Sequence, residues 1–221
     1  MSNKTHRNAQ TLGERSESIV DWLQLHTREV VIGAVVVVVL IGGGWMYKRS
    51  AASTASRAEA AYFQARGAAA SGNAPLAHAE LEKVITRFGG TTAAVQSAML
   101  QAQLYYDEGN YAEGMKALES ASGRRVAADQ RAAITGLEAT GLVGQAKYKE
   151  AAERYLGAAN AAPFALDKAQ FKSEAAQAYT LAGDTAKALE LWTELAADET
   201  SPMAAEARVR LGELEAASAK G

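Results

Sequence analysis

The chain has no cysteine, and only three prolines and three histidines among 221 residues. Without cysteine there is no disulfide framework, thiolate metal site or cysteine nucleophile, although the compartment stays open. The formal net charge is −2. This balance points away from a nucleic-acid partner, which usually meets a basic domain. His6, His26 and His78 each lack a second histidine three or four residues away, so no helical metal pair forms. There is no Walker loop, and Gly42-Gly43-Gly44 sits in apolar sequence unsuited to cradling phosphate. The acidic residues stand mostly beside bases, as in Glu80, Glu82, Lys83 and Glu150, Glu153, Arg154, the pattern of solvated helix faces. No catalytic constellation or cofactor-binding motif emerges, so the reading is a non-enzyme without cofactor or metal.

What is present is alanine, the best helix former, because ordering it costs no side-chain entropy. An all-α fold follows. Residues Val30 to Tyr47 form an uncharged run of 18. As a helix this rises about 27 Å, close to the hydrocarbon thickness of a bilayer. Buried strands are shorter, and a signal peptide has a shorter apolar core nearer its start. Here 29 residues precede the run, which favours an uncleaved anchor in membrane lipid, although Ser50 to Ala55 resemble a cleavage site. Trp45 and Tyr47 suit the interface, with Lys48 and Arg49 reaching headgroups. Orientation is a tie by charge: Lys4, Arg7, Arg15 and Arg28 precede the span, and Lys48, Arg49, Arg57 and Arg66 follow it. Gly42, Gly43, Gly44 and Trp45 form a candidate contact for a partner helix, since small residues allow close approach. The other reading is a flexible exit, a weak place for a helix to end, and no glycine recurs four residues on. Upstream, Ile19, Trp22, Leu23 and Val30 are helically spaced after a capping-box pair, Thr11 and Glu14. This is either a juxtamembrane amphipathic helix or the first turns of one long helix.

Beyond the span the sequence repeats every 37 residues, with units beginning at Ala58, Val95, Ala132 and Ala169. The eighth place is alanine in each unit: Ala65, Ala102, Ala139 and Ala176. The twentieth is small: Ala77, Gly114, Ala151 and Ala188. The fifteenth is Gly72, Gly109, Ala146 and Gly183, and the twenty-fourth is Leu81, Leu118, Tyr155 and Trp192. Small residues let two antiparallel helices approach, glycine caps the first, and large residues fill the space between hairpins. Stacked hairpins present a surface lined by the first helix of each unit. Tyr62, Arg66, Met99, Gln103, Tyr106, Thr140, Ser173 and Gln177 are the candidate groove residues; the alternative is that they cover a neighbouring helix. Arg66 is the only base among them, too few for clamping a C-terminal carboxylate. Arg124-Arg125 reads as a solvated loop pair.

These repeats resemble the tetratricopeptide repeat (TPR) family over about Ala58–Ala205. The family period of 34 implies that the extra residues lengthen loops such as "SGRRVAADQR" and "NAAPFALD". The resemblance implies an α-solenoid of about four hairpins behind one transmembrane helix, closed by a C-terminal capping helix. That helix would turn Ala204, Ala207, Leu211 and Leu214 inward and Glu206, Arg208, Arg210 and Glu213 outward. The expected divisions are 1–29, a tail and juxtamembrane segment; 30–47, the span; 48–57, a linker continuing as helix; 58–205, repeats; and 206–221, the cap. The layout "ESIVDWLQLHTREVVIGAV", "IGGGWMYKR", "ASRAEAAYFQARGAAASGN" and then hairpins is similar to the YfgM-type bacterial membrane proteins, ancillary subunits of the Sec translocon. That resemblance implies a bacterial inner-membrane protein with a cytoplasmic N-terminus and a periplasmic helical domain, with translocon subunits and periplasmic chaperones as partners. The rival expectation is a structural accessory subunit of a bioenergetic complex, such as a photosynthetic reaction-centre or respiratory assembly.

Overall fold

The computed structural model describes residues 27–122 and 126–218. The proposed amphipathic segment at Ile19–Leu23, its capping box and the Arg124-Arg125 pair lie outside the described residues. All regular elements among those described are helices: α1 (Thr27–Ala70), α2 (Ala74–Arg87), α3 (Thr92–Asp107), α4 (Tyr111–Ser122), α5 (Ala128–Gly144), α6 (Tyr148–Ala161), α7 (Ala165–Leu181), α8 (Thr185–Ala197) and α9 (Ala204–Ser218). The chain divides into two compact units at Ser53/Thr54.

In the first unit, α1 carries the apolar run without interruption. The three glycines do not end the helix, although each is less favourable than alanine there by about 1 kcal/mol. A Cβ added at Gly42, Gly43 or Gly44 would meet nothing within 4 Å. Val35 to Ile41, Trp45 and Met46 are each half or more exposed. Arg49 places its guanidinium 5.3 Å from the centre of the Trp45 ring. Among the described residues, α1 is the one helix long and apolar enough to cross a membrane.

In the second unit, the end of α1 and α2 to α8 form four helical hairpins, and α9 packs on α8. Each helix from α2 onward packs on the next, and α3 also packs on α5, so the first helices of the second and third hairpins are neighbours. The repeat frame explains the packing. Ala65, Ala102, Ala139 and Ala176 are fully buried, as are Ala77, Ala151 and Ala188, while Leu81, Leu118, Tyr155 and Trp192 are at most 5% exposed. Small side chains bring the helix axes together, and the large ones fill the gap to the next hairpin. Gly114 replaces alanine for a specific reason. A Cβ there would lie 2.7 Å from Cδ1 of Tyr106 and 3.0 Å from the Ala102 carbonyl oxygen.

The turn inside each hairpin repeats bond for bond. The N–H groups of Gly72, Gly109, Ala146 and Gly183 donate to the carbonyls of Ala69, Tyr106, Val143 and Thr180 at 2.9–3.1 Å. Those of Asn73, Asn110, Lys147 and Asp184 donate to Ala68, Tyr105, Leu142 and Tyr179 at 2.7–3.1 Å. This is the Schellman pattern, which requires a left-handed residue. The φ values are +74°, +76° and +76° at the three glycines and +58° at Ala146. The next residue then starts the second helix: the side chains of Asn73 and Asp184 accept from the Leu76 and Lys187 amides.

Residues 160–167, expected as a lengthened loop, depart from that reading. Only 162–164 connect α6 to α7, and the remainder continues the two helices. Pro163, which lacks an amide hydrogen, falls in this short connection, where no helical bond is lost. In α9, Ala204 and Ala207 are buried, Leu211 and Leu214 pack partly buried against the core, and Arg208, Arg210 and Glu213 are exposed, with Glu206 half-buried.

Candidate functional site

A cavity of about 500 Å³ in the repeat unit opens along the first helices of the hairpins. In the 37-residue frame its wall follows the second, fifth, sixth and ninth places of a unit. That spacing of i, i+3, i+4 and i+7 is one face of a helix. α3 supplies Gln96, Met99, Leu100 and Gln103, and α5 supplies Ala133, Gly136, Leu137 and Thr140. α1 adds Tyr62, α7 adds Gln170, Phe171 and Glu174, and α6 contributes Tyr155. Phe171 can lie against α5 because residue 136 is glycine; a Cβ there would be 3.1 Å from Cζ of the ring.

Of the expected groove residues, Tyr62, Met99, Gln103 and Thr140 come together in this cavity. Arg66 does not line it; its guanidinium stacks 5.3 Å from the centre of the exposed Phe63 ring. Gln177 lines a separate cavity of about 340 Å³ with Trp192, Arg210 and Leu214. Ser173, 4% exposed, and Tyr106, 8% exposed, belong to the core instead. Tyr106 turns inward because Gly114 and Gly141 leave room for its ring: a Cβ on Gly141 would sit 2.5 Å from the tyrosine hydroxyl. Periodicity found the fifth and ninth places and missed the second and sixth, where Gln96, Leu100, Leu137, Gln170 and Glu174 lie. The missed signal was the i−3 and i+1 neighbours of residues already chosen, as Gln96 and Leu100 are to Met99 and Gln170 and Glu174 are to Ser173.

Polar groups on the wall differ in how far they are committed. The Thr140 hydroxyl donates to the Gly136 carbonyl at 3.1 Å and accepts from the Tyr155 hydroxyl at 2.9 Å. Among the described residues, the amides of Gln96, Gln103 and Gln170 and the carboxylate of Glu174 have no hydrogen-bond or ion-pair partner. Burial, reinforced by the Glu206 carboxylate, raises the Glu174 carboxyl above its ordinary range. Two bases on these helices are engaged elsewhere: Lys172 with Glu194 at 2.5 Å, and Arg154 with Glu138 at 3.4 Å. Outside the cavity, burial first and the charge of Glu138 second push the Tyr106 hydroxyl up to about 12. No group of three or more His, Asp or Glu side chains able to hold a metal occurs among the described residues.

The family model for tetratricopeptide repeat-like domains matches residues 21–190. The chain belongs to this family. Its helical repeats also superpose on solved structures. One is of nearly identical TPR-like repeats assigned to a kinesin light chain of Podosopora anserina: TM-score 0.60, 18% identity, covering 75% of this chain and 89% of that one. A variant form of those repeats gives a TM-score of 0.61 at 18% identity, covering 75% and 88%. At such identity the likeness concerns the fold. Among curated proteins none matches the chain. TPR-like folds are in general scaffolds for protein–protein interaction and are typically non-catalytic.

Proposed function

We propose that this protein is a membrane-anchored TPR-like scaffold that holds segments of partner proteins in the cavity along its first helices, at the periplasmic face of a bacterial inner membrane. The observation that carries this reading is the cavity itself: apolar side chains alternate with three amides that have no internal partner among the described residues. Such amides suit an extended backbone, which offers an N–H and a C=O at each residue. The exposed apolar run of α1 supports the anchor, because a row of valines left in water is unfavourable by roughly 25 cal/mol per Å². The resemblance to the YfgM-type proteins supports a cytoplasmic N-terminus and a role ancillary to protein export, with translocon subunits and periplasmic chaperones as partners. The proposed helix partner at Gly42–Trp45 fits the open face there.

Two experiments test this. The natural absence of cysteine allows single cysteines to be placed at Ser2 and Ser120. In intact cells a membrane-impermeant maleimide labels position 120 and not position 2; the reverse pattern refutes the orientation. A photo-crosslinker at Gln103 in native membranes captures export components and chaperones. Capture of redox or pigment-binding subunits instead moves the protein to a bioenergetic assembly.

A further inference from the structure

The cavity carries one carboxylate and no base. Glu174 lies on its wall without a hydrogen-bond or ion-pair partner among the described residues. Two bases on the helices that wall it are already paired, Lys172 to Glu194 and Arg154 to Glu138. Arg66, on the same helical stripe, lies outside the wall and covers Phe63. The same wall carries the apolar and aromatic side chains of Phe171, Leu137, Met99 and Tyr62, with the uncharged amides of Gln96, Gln103 and Gln170. The Tyr155 hydroxyl is engaged with Thr140, whose own proton goes to the Gly136 carbonyl.

We infer that the cavity selects an extended peptide segment in which a lysine or arginine is flanked by apolar residues, with the cation paired to Glu174. This rests on the reading that the cavity binds protein segments. Charge complementarity decides it, since the half-buried Glu174 carboxylate faces the cavity with no cation on the wall, and a basic side chain of an occupant supplies one. The surroundings of Glu174 agree. Tyr155 from α6 is uncharged at neutral pH, and Glu206 from α9 adds a second negative charge, so the local potential favours a cation. An acidic segment or a free C-terminal carboxylate would face repulsion with no base on the wall to answer it.

The test uses the full chain in detergent micelles and an array of end-blocked nonapeptides. Apolar residues flank a central position that is Lys, Arg, Gln or Glu, and binding is read by fluorescence anisotropy. Lys and Arg peptides bind about tenfold tighter than their Gln counterparts, as a charged hydrogen bond warrants. Glu174→Gln brings that ratio close to one while leaving the helical circular-dichroism spectrum unchanged. Equal binding of all four peptides, preference for Glu, or a ratio that survives Glu174→Gln overturns the inference. Gln103→Trp, which fills the cavity mouth at an exposed position, separates the two levels of the argument. If peptides bind without charge preference and Gln103→Trp abolishes binding, the scaffold reading stands and the cationic ligand is wrong. If no peptide binds, both fail.

Discussion

Ala146 occupies a conformation that its three counterparts meet with glycine, which makes Ala146→Gly a sharp test of the hairpin turn. Its φ is +58°, and its amide closes the same Schellman bond, to Val143 at 2.9 Å. An L-residue in this region is disfavoured by about 1–2 kcal/mol because its Cβ crowds the following carbonyl. Glycine removes that strain but has more freedom to lose on folding, which offsets about 0.4–1 kcal/mol. The methyl group is exposed, so its removal forfeits no packing. The net gain is about 0.5–1 kcal/mol, which at this chain size raises the melting midpoint by about 1–4 °C. The assay is thermal and urea unfolding of the full chain followed by circular dichroism. Gly109→Ala and Gly183→Ala are the mirror experiment and lower the midpoint by a similar amount. An Ala146→Gly protein that melts at or below the parent temperature refutes the argument, because the strain would then not exist.

Three further outcomes are expected. Gly114→Ala drives a Cβ against the Tyr106 ring and the Ala102 carbonyl and lowers stability by about 1–3 kcal/mol, measured by urea unfolding; combining it with Tyr106→Leu recovers part of the loss. Glu174→Gln raises the melting temperature at neutral pH. Burial makes the native state hold the Glu174 proton to higher pH than the unfolded chain does. Its ionisation therefore reduces stability as pH rises from the ordinary carboxylate range through the raised native value, and the gain disappears below about pH 4; a gain equal at both pH values contradicts this. Tyr106 ionises at about 12 in the folded protein, well above its ordinary value, so the Tyr106→Phe difference in ultraviolet absorbance on alkaline titration is confined to the top of the range.

The Glu174 result joins stability to binding. A carboxylate kept half-buried without a partner weakens the fold, and the same carboxylate is what a cationic ligand would satisfy. One substitution is thus expected to strengthen the protein and blunt its selectivity, the usual tension at a binding site.

The sequence by itself determined the helical class, the four-unit frame and the small and large core places, because helix pairing depends on side-chain size at fixed intervals. Ala65, Ala102, Ala139 and Ala176 were legible for that reason, and so was the apolar run, whose length matches one physical dimension. The ninth-place pair Gln103 and Thr140 followed from the same periodicity. Tertiary structure decided the rest. Tyr105 and Tyr106 are adjacent on one helix, and only the space left by Gly114 and Gly141 on other helices selects Tyr106 for the core. Ala146 takes a left-handed turn because the helices on either side impose it, against its own preference. Glu174 reads in the sequence as one more surface acid. It becomes a candidate recognition group because the fold half-buries it on a cavity wall while Lys172 and Arg154 are engaged elsewhere, an arrangement of distant residues that no local pattern encodes.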